Sequence, residues 1–106
     1  MAEAEYEIPI PQTGRDIAHH TARYISEHFS PEGHKPVTVH IDRSREMYMH
    51  GRSGLHDVVT VRGEDSPYTD SFVKQTAVYA GQVALVPQVT VSKRAKGGVQ
   101  AWTLNV

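Results

Sequence analysis

The chain has 106 residues, 39% of them hydrophobic and 22% charged, with a formal net charge of -1 and no cysteine. That length holds one hydrophobic core but not two, and the composition is neither disordered nor fibrous. The missing cysteines exclude a disulfide framework, a thiolate nucleophile and a Cys-type zinc site, while the near-neutral charge argues against a chain given over to phosphate binding.

A single domain covering 1-106 is expected, with no internal repeat or low-complexity tract. The first residues, MAEAEYE, are acidic and lack the basic end and apolar run of a signal peptide. No apolar run approaches the roughly 18 residues of a membrane span. A cytoplasmic protein, or one in a soluble assembly, is the expectation. Charge is uneven: Glu3, Glu5 and Glu7 crowd the start, whereas Val83 to Val106 holds Lys93, Arg94 and Lys96 and no acid.

In chain order, Tyr6 to Pro11 reads as extended, since each proline biases its predecessor toward β geometry. Pro9 and Pro11 lack N–H donors, which predicts an edge strand or strap. Thr13 reads as a helix N-cap, and Gly14 to Phe29 as a helix with Ile17, Ala18, Thr21, Ala22, Ile25 and Phe29 on its core face. Arg23 and Glu27 are spaced for an i,i+4 pair. His20, Tyr24 and His28 recur along one flank, but the histidines are too far apart for a two-ligand helix site and read as a polar border. Ser30-Pro31-Glu32-Gly33 then ends the helix.

From Pro36 to Gly63 three apolar-alternating runs follow. Val37, Val39 and Ile41 alternate with Thr38, His40 and Asp42; Met47 and Met49 with Glu46, Tyr48 and His50; Val59 and Val61 with Thr60 and Arg62. Arg43 to Arg45 reads as a hairpin turn between the first two. With helices over the Val/Ile/Met side, the opposite face collects His40, Tyr48, His50, Thr60 and Arg62. Such residues anchor contacts at protein interfaces.

Ser66, Pro67 and Asp70 make a helix start, and Phe72, Val73, Thr76, Ala77 and Ala80 carry the helix to Gly81. The stretch TAVYAGQVALV also reads as a strand, because β-branched residues favour one. Val83 to Lys93 and Gly98 to Val106 form a closing hairpin around Arg94 to Gly97, with Pro87 marking an edge or bulge. The fold class expected is α+β: a mostly antiparallel sheet of four to six strands with two helices packed on one face, in the order β-α-β-β-β-α-β-β.

No metal site or cofactor is expected, since the seven histidines match no HExxH, EF-hand or Cys/His pattern. Ser53, His56 and Asp57 hold triad chemistry within one short stretch, but neighbouring residues point to opposite sides of an extended chain, and the stretch reads as a loop. Three functional readings remain. The leading one is a non-enzymatic protein-interaction or assembly module, using His40, Tyr48, His50 and Arg62 with the closing hairpin to hold a protein partner or a second copy. The second is nucleic-acid binding, with Lys93, Arg94 and Lys96 on phosphate at the hairpin tip, supported by Arg43, Arg45 and Arg52. The third is a small hydrolase using His50, His56 and Arg52.

Overall fold

The computed structural model describes residues 2–29, 33 and 35–106. Its elements are β1 (Glu3–Pro11), α1 (Ile17–His28), β2 (Thr38–Met49), β3 (Arg52–Glu64), α2 (Pro67–Ala84), β4 (Gln88–Ala95) and β5 (Gly98–Asn105). The five strands form one antiparallel sheet in the order β2-β3-β1-β4-β5. The molecule is α+β and within the expected four to six strands, with two strands rather than three between the helices.

Alternation builds the core. Tyr6 and Ile8 of β1 lie opposite Val61 and Val59 of β3, which in turn face Val39 and Ile41 of β2. Val89 and Val91 of β4 join them, and Ile17, Ala18 and Ile25 of α1 with Val73, Ala77 and Ala80 of α2 close the layer. Fully burying each of the larger side chains stabilises the fold by about 1.5–3 kcal/mol. The α2 helix seats closely at Gly81, where an added Cβ would stand 2.6 Å from methyl carbons of both Val89 and Val106.

The helix ends differ in one respect from the sequence reading. Asp16, not Thr13, caps α1 by accepting from the His19 N–H at 3.1 Å, so the helix starts later than Gly14. Ser66 caps α2 as expected, and Arg23 pairs with Glu27 at 2.6 Å. The stretch left open between helix and strand is helical, because Phe72, Val73, Thr76, Ala77 and Ala80 recur at helical spacing over the sheet. Of the expected helix break, Ser30, Pro31 and Glu32 lie outside the described residues.

Two corrections shape everything on the helix-free face. First, β1 is the central strand, not an edge. It pairs with β3 from Glu3 to Pro11 but with β4 only at Glu5, Tyr6 and Glu7. Two prolines spaced by two residues turn their missing donors to the same side. The ladder to β3 persists and the one to β4 stops before Pro9, so the lost donors face β4, and the two strands part there.

Second, Arg43 to Arg45 is a bulge rather than a hairpin turn, so the first two central runs are one long strand. Asp42 pairs with Val58 and Arg45 with His56, leaving Arg43 and Ser44 together opposite Asp57. Ser44 takes a left-handed conformation, φ 55°. The extra residue reverses the alternation. Before the bulge Val39 and Ile41 face the helices; beyond it Met47 and Met49 share the face of Arg45, and Tyr48 shares that of Asp57. Met47 and Met49 therefore stay out of the core cluster.

Candidate functional site

The helix-free face carries a cleft of about 520 Å³ lined by Glu5, Glu7, Thr38, His40, Asp42, Arg45, Thr60 and Arg62. Strand pairing sets them in rows. Thr38, Arg62, Glu5 and Arg94 make one row, and His40, Thr60, Glu7 and Ser92 the next. Charges of both signs meet here. Arg45 Nη1 lies 3.4 Å from Asp42 Oδ2 and 3.5 Å from Glu7 Oε2, and Arg62 Nη2 lies 3.9 Å from Glu5 Oε1.

These separations are long for charge-assisted hydrogen bonds, so the groups remain free to turn toward a ligand. Tight pairing occurs next door instead. Arg43 grips Asp16 with both terminal nitrogens, at 2.8 and 3.1 Å.

The bulge is held from behind by Asp57. Its Oδ1 accepts from the Ser44 N–H and from Gln12 Nε2, each at 2.9 Å, and its Oδ2 accepts from Arg43 at 3.3 Å. Burial pushes the Asp57 carboxyl up, but these hydrogen bonds and the Arg43 charge outweigh it and hold the group below the ordinary carboxylate value. The loop read at Gly51 to Asp57 is strand from Arg52 onward, and His56 and Asp57 point to opposite sides of it.

Beyond the bulge, the end of the β2–β3 hairpin forms an arm that turns at His50 and Gly51, both with positive φ as a two-residue hairpin turn requires. The arm bends back across the helix-free face. His50 Nε2 comes within 3.4 Å of Thr90 Oγ on β4, although β1 separates β3 from β4 in the sheet. Val58 and Pro9 are buried on this face, where no helix covers them.

Beneath the arm lies a second cleft of about 570 Å³, between Pro11 at the end of β1 and Gln88 at the start of β4. It is the gap left where the prolines end the β1–β4 ladder. Met49, His50, Arg52, His56 and Pro87 line it as well. His56 is 9% exposed, and its Nδ1 lies 3.1 Å from the Gly54 carbonyl oxygen. A carbonyl can only accept, so Nδ1 carries a proton, and in the neutral ring Nε2 is then the acceptor.

The sequence candidates are thereby redistributed. His40 and Arg62 share the outer cleft, His50 moves to the arm cleft, and Tyr48, 74% exposed, is turned away from His40 by the bulge. The four do not form one face. Nor do the six cations form one patch. Lys93 falls on the core side of β4, buried, with Nζ 2.7 Å from Asp65 and 2.8 Å from Asp70, so the hairpin tip presents only Arg94 and Lys96. Arg43 is tied to Asp16 and Asp57, Arg45 belongs to the outer cleft, and Arg52 lines the arm cleft. Among the described residues no group of three or more His, Asp and Glu is arranged to hold a metal ion, and no helix is long and apolar enough to cross a membrane.

Sequence reasoning missed Glu5, Glu7 and Asp42 as site residues. The signal was the alternation in EAEYE, which sends both glutamates to the face of His40 and Arg62.

No protein-family model and no curated protein matches the sequence. Two solved structures share the fold. One is a phage SAM lyase in the apo state, with a TM-score of 0.57 and 14% identity over 99% of this chain and 89% of that one. The other is a phage SAM lyase in complex with S-methyl-5'-thioadenosine, with a TM-score of 0.56 and the same identity and coverage. At that identity the likeness is one of fold. Both are nevertheless structures of an enzyme, which conflicts with the expectation of a non-enzymatic interaction or assembly module acting through His40, Tyr48, His50 and Arg62.

Proposed function

We propose that the chain is an enzyme that binds a SAM-type sulfonium nucleoside on the helix-free face and breaks one of its carbon–sulfur bonds, releasing S-methyl-5'-thioadenosine. The observation that carries this reading is the mixed charge of the outer cleft, where Glu5, Glu7 and Asp42 stand among Arg45 and Arg62 in loose pairs of 3.4 to 3.9 Å. Such a ligand carries a carboxylate, an ammonium and a sulfonium. The guanidinium groups suit the first and the carboxylates the other two. The fold shared with the phage SAM lyase structures supplies the candidate substrate.

The chemistry suits a site without an acid–base dyad. When the bond breaks, both electrons go to sulfur, which becomes a neutral thioether and needs no proton to depart. The carbon that sulfur leaves is taken by an oxygen of the substrate's own carboxylate, which closes a lactone, so atoms and charge balance with no proton transfer and no outside reactant. The protein's contribution is then orientation: ion pairs at the two ends of the amino-acid portion fix its conformation relative to the sulfur.

Purified chain incubated with SAM and followed by chromatography should release S-methyl-5'-thioadenosine. Glu7→Gln and Arg45→Ala should each lower the rate by about 10²-fold with unchanged circular dichroism, as misplacement of a reacting group does. Absence of release by the unaltered chain would overturn the reading.

A further inference from the structure

The outer cleft is lined mainly by charged and hydroxyl side chains, with Val39 its one aliphatic residue, and the arm cleft offers the complement. Met49 from the arm, Pro11 from β1 and Pro87 before β4 give it apolar sides. His56 supplies an acceptor in its neutral form, since its Nδ1 is committed to the Gly54 carbonyl and leaves Nε2 to accept. Gln88 adds an amide whose Nε2 donates to Asn105 Oδ1 at 3.2 Å, leaving its Oε1 to accept. A volume near 570 Å³ is in the range of sites that enclose small organic ligands.

The two clefts are neighbours on one surface. Arg45 of the outer cleft pairs in the ladder with His56 of the arm cleft, and β1 runs from Glu5 and Glu7 in the first to Pro11 in the second. One elongated ligand can therefore touch both.

Resting on the function proposed above, we infer that the arm cleft is the subsite for the nucleobase: a planar, neutral heterocycle with an exocyclic amino group lies between Met49 and the prolines. His56 Nε2 accepts from that amino group. The amino-acid end of the same ligand occupies the outer cleft. The arm is thus a built wall of the site, set in place by the bulge at Arg43 and Ser44 and by the parting of β1 from β4 at Pro9.

Adenosine tests this without any turnover, because it has the base and lacks the charged end. Titration calorimetry with adenosine should show binding. Met49→Trp, which fills the cleft, and His56→Asn, which keeps a polar group but moves the acceptor, should each weaken it more than about tenfold. Arg62→Ala should leave adenosine affinity within about twofold. Thermal melts identify any variant that fails to fold, and the two arm substitutions are independent of each other. If folded arm variants bind adenosine as the unaltered chain does, or Arg62→Ala weakens it as much as they do, the base lies elsewhere and the inference is overturned, as it is if adenosine does not bind. Parallel incubation with SAM separates the two ideas. Release of S-methyl-5'-thioadenosine with arm-independent adenosine binding defeats the subsite alone, whereas arm-dependent binding without release defeats the proposed reaction and retains the base subsite.

Discussion

Lys93 shows how far a single residue can move between a sequence and a fold. In SKRAKGG it is one of three cations at a hairpin tip. Alternation along β4 instead aligns it with Val89 and Val91, toward the helices, where it meets Asp65 and Asp70 beside the buried ring of Tyr6. Burial alone would lower its pKa, but the hydrogen bonds that Lys93 donates to Asp65 and Asp70 outweigh that and raise it above the ordinary lysine value. Its contribution to stability is therefore complete below the unfolded-state pKa and is lost only as pH rises through the higher folded one. Tyr6 donates its hydroxyl to the same Asp70, and burial first, then that bond and the neighbouring acids, push its ionisation upward. Lys93→Met leaves both aspartates without their cation, and because these are partly exposed the cost should be about 2–3 kcal/mol rather than the larger figure for a fully buried pair. Urea denaturation at neutral pH measures it, and adding Asp70→Asn should recover part of the loss. Leu85 makes the opposite case: it closes α2 at φ 58° with 90% of its surface exposed. Leu85→Gly removes left-handed strain without emptying the core and should raise stability by about 0.5–1 kcal/mol, read as a higher thermal midpoint.

At the scale of elements, the decisive feature is the β2–β3 arm and the bulge that aims it. Without the extra residue, Tyr48 would sit beside His40 and the methionines would join the core, as simple alternation predicts. With it, Met49 becomes a wall of the arm cleft. Asp57 holds this arrangement through Ser44, Gln12 and Arg43. Its folded-state pKa is depressed, so its contribution is present above the unfolded value, near pH 4, and is lost as pH falls through the lower folded value. Asp57→Asn should destabilise the chain by about 1–3 kcal/mol at neutral pH. The difference from the unaltered protein should shrink progressively as pH falls from about 4 through the lower folded value, below which both carry a neutral group at this position. Denaturant titrations across the acid range provide the comparison.

At the scale of the whole molecule, one layer of helices leaves the other sheet face to the strands alone. The helix-covered side follows from pattern: Ile17, Ala18 and Ile25, then Val73, Ala77 and Ala80, recur at helical spacing, and Val39, Ile41, Val59 and Val61 at strand spacing. A mostly antiparallel sheet of four to six strands with two helices on one face is legible for that reason. The helix-free side was legible only in part. His40, Thr60 and Arg62 were placed together before the bulge, where alternation still holds, and Tyr48 and His50 were misplaced after it. Glu5 and Glu7 belong to this face by their parity in β1, which an acidic run taken as composition does not reveal.

What the amino-acid sequence determines by itself is local: periodicity of 3.6 or 2 sorts each segment into helix or strand and marks the side it can bury, since side-chain direction is set by neighbours along the chain. Strand order and the position of a bulge are not local. The central place of β1 depends on β3 and β4 arriving on either side of it, and its prolines, which read as signs of an edge, act instead to end one of its two ladders. The arm cleft exists only because that ended ladder and the Asp57-held bulge, far apart in sequence, are brought to the same face by pairing across the sheet.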